Sequence, residues 1–531
     1  MKGQKFFSLL LALCLVVSLG ACNQKSEQDK KFDELTRKDS SAADIFPESA
    51  LESEASSAPG ESSEAAPTPE PTPHVDPEGL TGELTVLGPA DTSDGIAKTA
   101  VEYLAEEFMK LHPGVKINVE FISSIFDDMP RAQRREQARS RILAELGSGE
   151  ADYLLYSPIE ELNIYGLSQS GVFLDLRPYF ENDPSINPDD YYTQVLDAMS
   201  VDGKYTVMPF SFSFEGMMLN RPLMEKMKVD LDGIQAIDYK MLLDWYEQAK
   251  AIDPSTQASF GALTQEFLYT YEAPAYVDLE NKTASFNSPE FIEFLTRTGA
   301  LEEPDKEALG HYQFLGEDIL TVEWFMEKKF SGEELDREFI NEYWQQFYDN
   351  AHQAVAAPTG IAAQELGLVS GLMKNLAGPY PAVSTKGQLG VYTTEDFAIP
   401  ATMKNPDLAW KFISYCISER EDMQLKAGQA YYTARLPINK KNFAKQMEFC
   451  RTSSMMYQTA SYYLEDFHQK NLDADLAVKK LDEFLSMPLV NGKTHVIDMS
   501  EYLTEFYDSK LTTPEQCAEK IQGRMDIWLH E

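Results

Sequence analysis

The residue types that most often do chemistry are present in this chain without the spacing that chemistry needs. Seven histidines, at positions 74, 112, 311, 352, 468, 495 and 530, are scattered and show no metal-ligand pattern. No His-Glu-x-x-His motif occurs. Gly166-Leu-Ser-Gln-Ser170 has a serine where a nucleophile elbow needs its final glycine. No Walker-type glycine loop is present. The 86 acidic residues make chance carboxylate pairs certain, so a glycosidase pair cannot be read from them. These residues point to binding rather than catalysis, and neither a cofactor nor a metal is expected.

One thiol does sit in a meaningful setting. Met1-Lys2-Gly3-Gln4-Lys5 is a basic start, an apolar stretch runs from Phe6 to Leu19, and Gly20-Ala21 precede Cys22. A basic start, a short apolar core and small residues before the cut mark a secretory signal, not a membrane span. The Leu-x-Ala-Cys pattern ending at Cys22 resembles a bacterial lipobox. The resemblance implies cleavage after residue 21 and a diacylglyceryl thioether on Cys22. The expected location is the extracytoplasmic face of the cell membrane, with the protein held there by lipid.

The remaining composition narrows the partners. A formal net charge of −40 argues against nucleic acid and against anionic headgroups. With Cys22 lipidated, Cys416, Cys450 and Cys517 allow one disulfide at most, so stability must come from a large core. Residues 22–79 read as a disordered tether, containing Pro-Thr-Pro-Glu-Pro-Thr-Pro and, from 23 on, 14 acids against 5 bases. A coil of this length spans roughly 40 Å root-mean-square. Residues 80–531 are too many for one core and fit two lobes.

The elements that must position a site announce themselves by period. Glu83 to Leu87 reads as a strand, and Ile96 to Leu111 as a helix with Val101, Leu104, Phe108 and Leu111 on one face. Val115 to Ile122 alternates as a second strand, giving a βαβ unit with parallel strands. A helix over about Arg135 to Leu146 and a strand over Tyr153 to Tyr156 follow. The arginines along that helix read as a solvated face. Ser288-Pro289, Asn405-Pro406 and Thr513-Pro514 each place an N-cap before a proline at the first helical position. Helices alternating with short strands give an α/β architecture.

Several of these segments, in this order, resemble the extracellular solute-binding proteins of carbohydrate-type ABC importers (solute-binding family 1). They are Glu107-Phe-Met-Lys-Leu-His-Pro-Gly-Val-Lys-Ile-Asn-Val119, Leu143-Ala-Glu-Leu-Gly-Ser-Gly-Glu-Ala-Asp152, and Asp202-Gly203-Lys204-Tyr205 with Met208-Pro209 and Leu219-Asn220-Arg221. Later come Asp278-Leu-Glu-Asn-Lys-Thr-Ala-Ser-Phe286 with Ser288 to Leu295, then Lys404 to Ile413, Leu436-Pro-Ile-Asn-Lys440 and the terminal helix from Thr513. The stretch Gln353 to Ile361 departs from the family's Gly-Lys-Ala-Ala-Met-like pattern. The resemblance implies an α/β, two-lobed periplasmic-binding-protein-like fold of type II, with ligand held between lobes joined by crossing strands. By analogy lobe I takes about 81–211 and 390–436, and lobe II about 213–389 and 437–531. It further implies a monomer that delivers a small ligand, by default a mono- or oligosaccharide, to ABC permease subunits in the membrane. A ligand-sensing lipoprotein that reports to a membrane receptor is the alternative, and a secreted carbohydrate-active enzyme the minor one.

Ligands of open α/β sheets sit beyond the carboxyl ends of the strands. That selects Asp91, Thr92 and Ser93, then Ser123, then Ser157 as contacts for sugar hydroxyls. Ser93 or Asp94 could equally cap the following helix, and the other two loops could be plain turns. In Phe210-Ser-Phe-Ser-Phe-Glu215, strand alternation puts Phe210, Phe212 and Phe214 on one face and Ser211 and Ser213 on the other. The site expected here uses Ser211, Phe212 and Ser213, with Phe212 either stacking on a sugar ring or packed in the core. Tyr380 is a second stacking candidate, while Trp324 and Trp344 are weaker ones and Trp410 reads as packing.

Overall fold

A computed structural model describes residues 79–91, 99–124, 131–157, 162–259, 264–301, 311–314, 317–320, 354–361, 366, 376–393, 395–420, 435–452, 473–492 and 499–530. Cys22, the tether, Thr92, Ser93, Asp94, Trp324 and Trp344 lie outside them. The chain opens with β1 (Thr81–Asp91), α1 (Ala100–Leu111), β2 (Gly114–Ser124), α2 (Arg131–Ser148) and β3 (Leu154–Tyr156). β1 pairs in parallel with both β2 and β3, as a βαβ unit requires. Helix α1 begins later than its apolar period suggests, because Thr99 and Glu102 form a reciprocal capping box there. The cap of this helix is therefore Thr99 and not Ser93 or Asp94. Val101, Leu104 and Phe108 are buried as the period requires.

After α3 (Ile164–Gln169) the chain forms β4 (Met208–Pro209) and then β5 (Ser211–Asn220). Next come α4 (Tyr239–Ile252), β6 (Gln257–Ser259), α5 (Thr264–Glu272), α6 (Pro289–Gly299), β7 (Ala354–Ile361), β8 (Leu376–Pro381) and β9 (Leu389–Tyr392). The last part holds β10 (Asp396–Ala398), α7 (Pro406–Ile417), β11 (Leu436–Pro437), α8 (Lys440–Thr452), α9 (Ala474–Leu485), β12 (Leu489–Asn491), α10 (Ser500–Tyr507) and α11 (Pro514–His530). The caps legible in the sequence are in place. Ser288 accepts from Phe291 N, Asn405 from Leu408 N, and Thr513 exchanges two bonds with Gln516.

Two sheets of mixed direction organise these elements. The first is five-stranded, in the order β2-β1-β3-β10-β4. The second is seven-stranded, with β12-β9-β5-β7-β6 as its path and β8 and β11 also paired to β5. Strand β5 is thus the axis of the second sheet. Leu84, Val86, Leu104, Phe108, Phe397 and Phe412 are buried in one core cluster, which also receives Phe212 and Phe214. Met217, Leu219, Leu242, Phe291, Phe294 and Ile521 are buried in another. Burial of this many large side chains carries the fold, and among the described residues Cys416 and Cys517 are buried free thiols. Among the described residues no helix is long and apolar enough to cross a membrane.

Candidate functional site

The chain passes between the two sheets at Phe210. Pro209 pairs with Asp396 in the first sheet, while Ser211 pairs with Pro437 and Ser213 with Tyr392 in the second. Phe210 N donates to Glu395 O at 2.8 Å, and Ile438 N donates to Phe210 O at 3.1 Å. One residue therefore laces three passages together, at 208–213, 392–396 and 436–438. The return to the first sheet falls after Tyr392, because Leu389–Tyr392 is still paired to β5 and to β12.

Strand alternation divides this meeting place into two faces. Phe210, Phe212 and Phe214 point into the first core cluster, and the latter two are fully buried. The Phe212 ring meets Tyr192 at 5.6 Å and Phe214 at 5.4 Å, both edge-to-face, and Phe214 meets Phe484 at 5.6 Å. Phe212 thus has no ring face left for a sugar, so its role here is packing and the stacking option is withdrawn.

The opposite face is polar. Ser211 Oγ donates to Glu395 Oε2 at 2.8 Å. Ser213 is half-buried, and Glu215 is buried next along the same face. Tyr392 lies directly opposite Ser213, which puts its ring on this face too. Burial raises the Glu395 carboxyl above the ordinary range, while the Arg435 guanidinium and the Ser211 hydroxyl oppose that. Burial likewise pushes the Tyr156 phenol well up, helped by the Glu395 charge and opposed by a bond to Ser157 and by Arg435. At the other end, burial and the Glu215 charge raise the phenols of Tyr271 and Tyr392. Neither of those two hydroxyls has a hydrogen-bond partner among the described residues. Among those residues, no group of three or more His, Cys, Asp or Glu is placed to hold a metal ion. The face offers hydroxyls and carboxylates, which exchange hydrogen bonds with a polar ligand.

The other expected contacts are placed as follows. Ser123 is buried and donates to Pro89 O at 3.1 Å, tying β2 to β1. Asp91 is the last residue of β1, opposite Ser124. Ser157 follows β3 with a left-handed φ of 51°, and its N donates to Asp396 O at 2.8 Å. That bond brings Ser157 to the same passage as Glu395. Tyr380 pairs with Met217 beside β5, half-buried, and its hydroxyl donates to Leu231 O at 3.1 Å. Trp410 is buried and its Nε1 donates to Asp183 at 2.9 Å, a packing role. Sequence reasoning had Tyr156 at the head of the Ser157 loop but missed Glu215, Tyr271, Tyr392, Glu395 and Arg435. Glu215 was within reach, since the alternation through Ser211 and Ser213 continues to it.

The model of the family described as bacterial extracellular solute-binding protein matches residues 92–423. Solved structures of similar shape include the ABC substrate-binding protein Lmo0181 from Listeria monocytogenes in complex with cycloalternan, at 15% identity and TM-score 0.45, covering 85% of this chain and 100% of that one. A periplasmic oligogalacturonide binding protein from Yersinia enterocolitica has 15% identity and TM-score 0.48, covering 85% and 99%. The sugar-binding protein MalE from Xanthomonas citri has 13% identity and TM-score 0.47, covering 85% and 98%. The comparison with curated proteins gives no match. The α/β, two-lobed periplasmic-binding-protein-like fold expected from the sequence is the fold of this chain. With well over half of its length matched by the family model, the chain belongs to the bacterial extracellular solute-binding proteins.

Proposed function

We propose that this protein captures a carbohydrate between its two lobes, on the polar face of the crossing passages, and delivers it to an ABC permease. The observation that carries the reading is the row Ser211, Ser213 and Glu215 facing Tyr392 and Glu395, where donors and acceptors stand side by side. A sugar hydroxyl is both donor and acceptor, so hydroxyls and carboxylates side by side suit it. In this reading lobe I is built on residues 81–209 with the passage from 396 to about 436, and lobe II on 211–392 with the later helices. Closure of the lobes about these passages is a hinge motion. Cys22 carries the lipid and residues 23–79 tether the body above the membrane.

The test is a thermal-shift screen of the purified chain against neutral and amino mono- and disaccharides. Ligand at 100-fold over Kd adds roughly 2.7 kcal/mol, a rise of about 3 °C for a body this size. A shift with at least one sugar is expected, and a flat response across the panel would reject the carbohydrate reading. Cross-linking in membranes should recover permease subunits, whereas recovery of a receptor protein alone would replace delivery by sensing.

A further inference from the structure

We propose that helix α3 is a clamp: Tyr165, carried by lobe I, grips the C-terminal helix of lobe II and holds the two lobes closed ahead of ligand. The inference rests on the two-lobed reading above and adds the contact that sets how readily the lobes part. Neighbouring residues of α3 serve different cores. Ile164 is buried in a cluster with Leu87, Leu155 and Ala398, all of lobe I. Tyr165 is buried in the cluster that holds Ile521, Met525 and Trp528 of α11. Ser168 Oγ donates to Thr206 Oγ1 at 2.7 Å, which roots the helix in lobe I. The local sequence fixes this short helix. Asn163 Oδ1 caps it by accepting from Gly166 N at 3.0 Å. A Cβ at Gly166 would stand 3.0 Å from Asn163 Nδ2, so the cap sits best over a glycine. The stretch from Gly166 to Ser170, which lacks the last glycine of a nucleophile elbow, thus has a use of its own.

The reach into lobe II is made of rings and hydrogen bonds. Tyr165 and Trp528 stack at 5.6 Å and 22°. The Tyr165 hydroxyl donates to Leu279 O and accepts from Gln169 Nε2 at 3.0 Å. Asn163 Nδ2, left free by the cap, donates to Trp528 O at 3.4 Å. Helix α3 belongs to the connection that leaves the carboxyl end of β3, the side on which open α/β sheets take ligand. Lobes that turn apart about the passages at 208–213, 392–396 and 436–438 must therefore part Tyr165 from Trp528 and Leu279. None of these groups belongs to the polar face, so the clamp weights closed lobes against open ones without touching ligand. A contact made only in the closed form multiplies that population, and an aromatic pair supplies a factor of about twofold to tenfold.

The test uses the full chain without any sugar. A Ser213→Cys chain is alkylated with iodoacetamide, the rate is read on the peptide that carries residue 213, and X-ray scattering gives the radius of gyration. Adding Trp528→Leu should raise that rate by about twofold to tenfold and enlarge the radius. Tyr165→Phe keeps the ring and removes only the bond to Leu279 O, so it should move both readings the same way by less. That mild change keeps the test decisive where the larger one unfolds the chain. Phe291→Leu alters the same core among Tyr269, Tyr276, Phe286 and Phe294, and should leave both readings at their Ser213→Cys values. Unchanged readings with the clamp variants would overturn the inference, and so would an equal rise with Phe291→Leu. Either result leaves the carbohydrate reading to its own screen, since no sugar enters this experiment.

Discussion

Ser211 Oγ donates to Glu395 Oε2 at 2.8 Å, across 184 residues of sequence, at the point where Phe210 N also bonds Glu395 O. Side chain and backbone together tie the first passage between the sheets to the second. Because Glu395 is buried, the Ser211 hydroxyl is a donor the carboxyl cannot replace from water. Ser211→Ala should therefore cost about 1–3 kcal/mol in urea unfolding. An unchanged midpoint would show that the bond does not hold the passages together.

The same carboxyl sets a pH dependence. Burial raises Glu395 above its unfolded value, so the folded state holds its proton more tightly. The stability this supplies is full below the ordinary glutamate range and is lost as pH rises through the raised value. Glu395→Gln should abolish that part of the decline in unfolding free energy with rising pH, and a profile identical to wild type would contradict the assignment.

Asp183 gives the opposite limb. Burial pushes its carboxyl up, but the Ser185 hydroxyl and amide, the Trp410 indole and the Lys411 ammonium outweigh it and bring it down to about 2. Its contribution is full above the ordinary aspartate value and is lost as pH falls through about 2. Asp183→Asn should flatten the acid end of the stability profile between pH 4 and 2 (~2 pH units, from the shift). Retention of the full acid limb would place that loss elsewhere.

Phe212 is read as core. Phe212→Ala should lower stability by about 3–5 kcal/mol, measured by denaturant unfolding. A stable variant with weakened sugar binding would return the ring to the ligand.

The helix after β3 meets the C-terminal helix through Tyr165 and Trp528, whose rings stack at 5.6 Å and 22°. Asn163 Nδ2 adds a bond to Trp528 O at 3.4 Å, and the Tyr165 hydroxyl bonds Leu279 O. Trp528→Leu should forfeit the aromatic pair, about 0.5–1.5 kcal/mol, and speed hydrogen exchange over 163–169. Unchanged exchange there would mean that the stack holds nothing.

How much was legible follows from the range of each interaction. The βαβ opening and the caps at Ser288, Asn405 and Thr513 were readable because period and capping act within a few residues. The two faces of 210–215 were readable for the same reason, since alternation is local. Which face met the core was not, because Tyr192 and Phe484 supply the contacts of Phe212 and Phe214 from elsewhere in the chain. Glu395, Arg435 and Tyr392 escaped notice because only strand pairing brings them to Ser211 and Ser213. Ser123 was chosen from its position at a strand end, and the bond that gives its one proton to Pro89 O comes from the neighbouring strand, beyond the reach of a local pattern.

The central claim is that ligand lies on the polar face of the crossing passages, where Ser213 is the half-buried position. The most direct measurement is the alkylation rate at position 213 of a Ser213→Cys chain, read on the peptide that carries it, with and without the sugar that stabilises it. Saturating sugar should slow the reaction at this position about tenfold or more, since bound ligand and closed lobes exclude the reagent. An undiminished rate with the sugar demonstrably bound would contradict the claim.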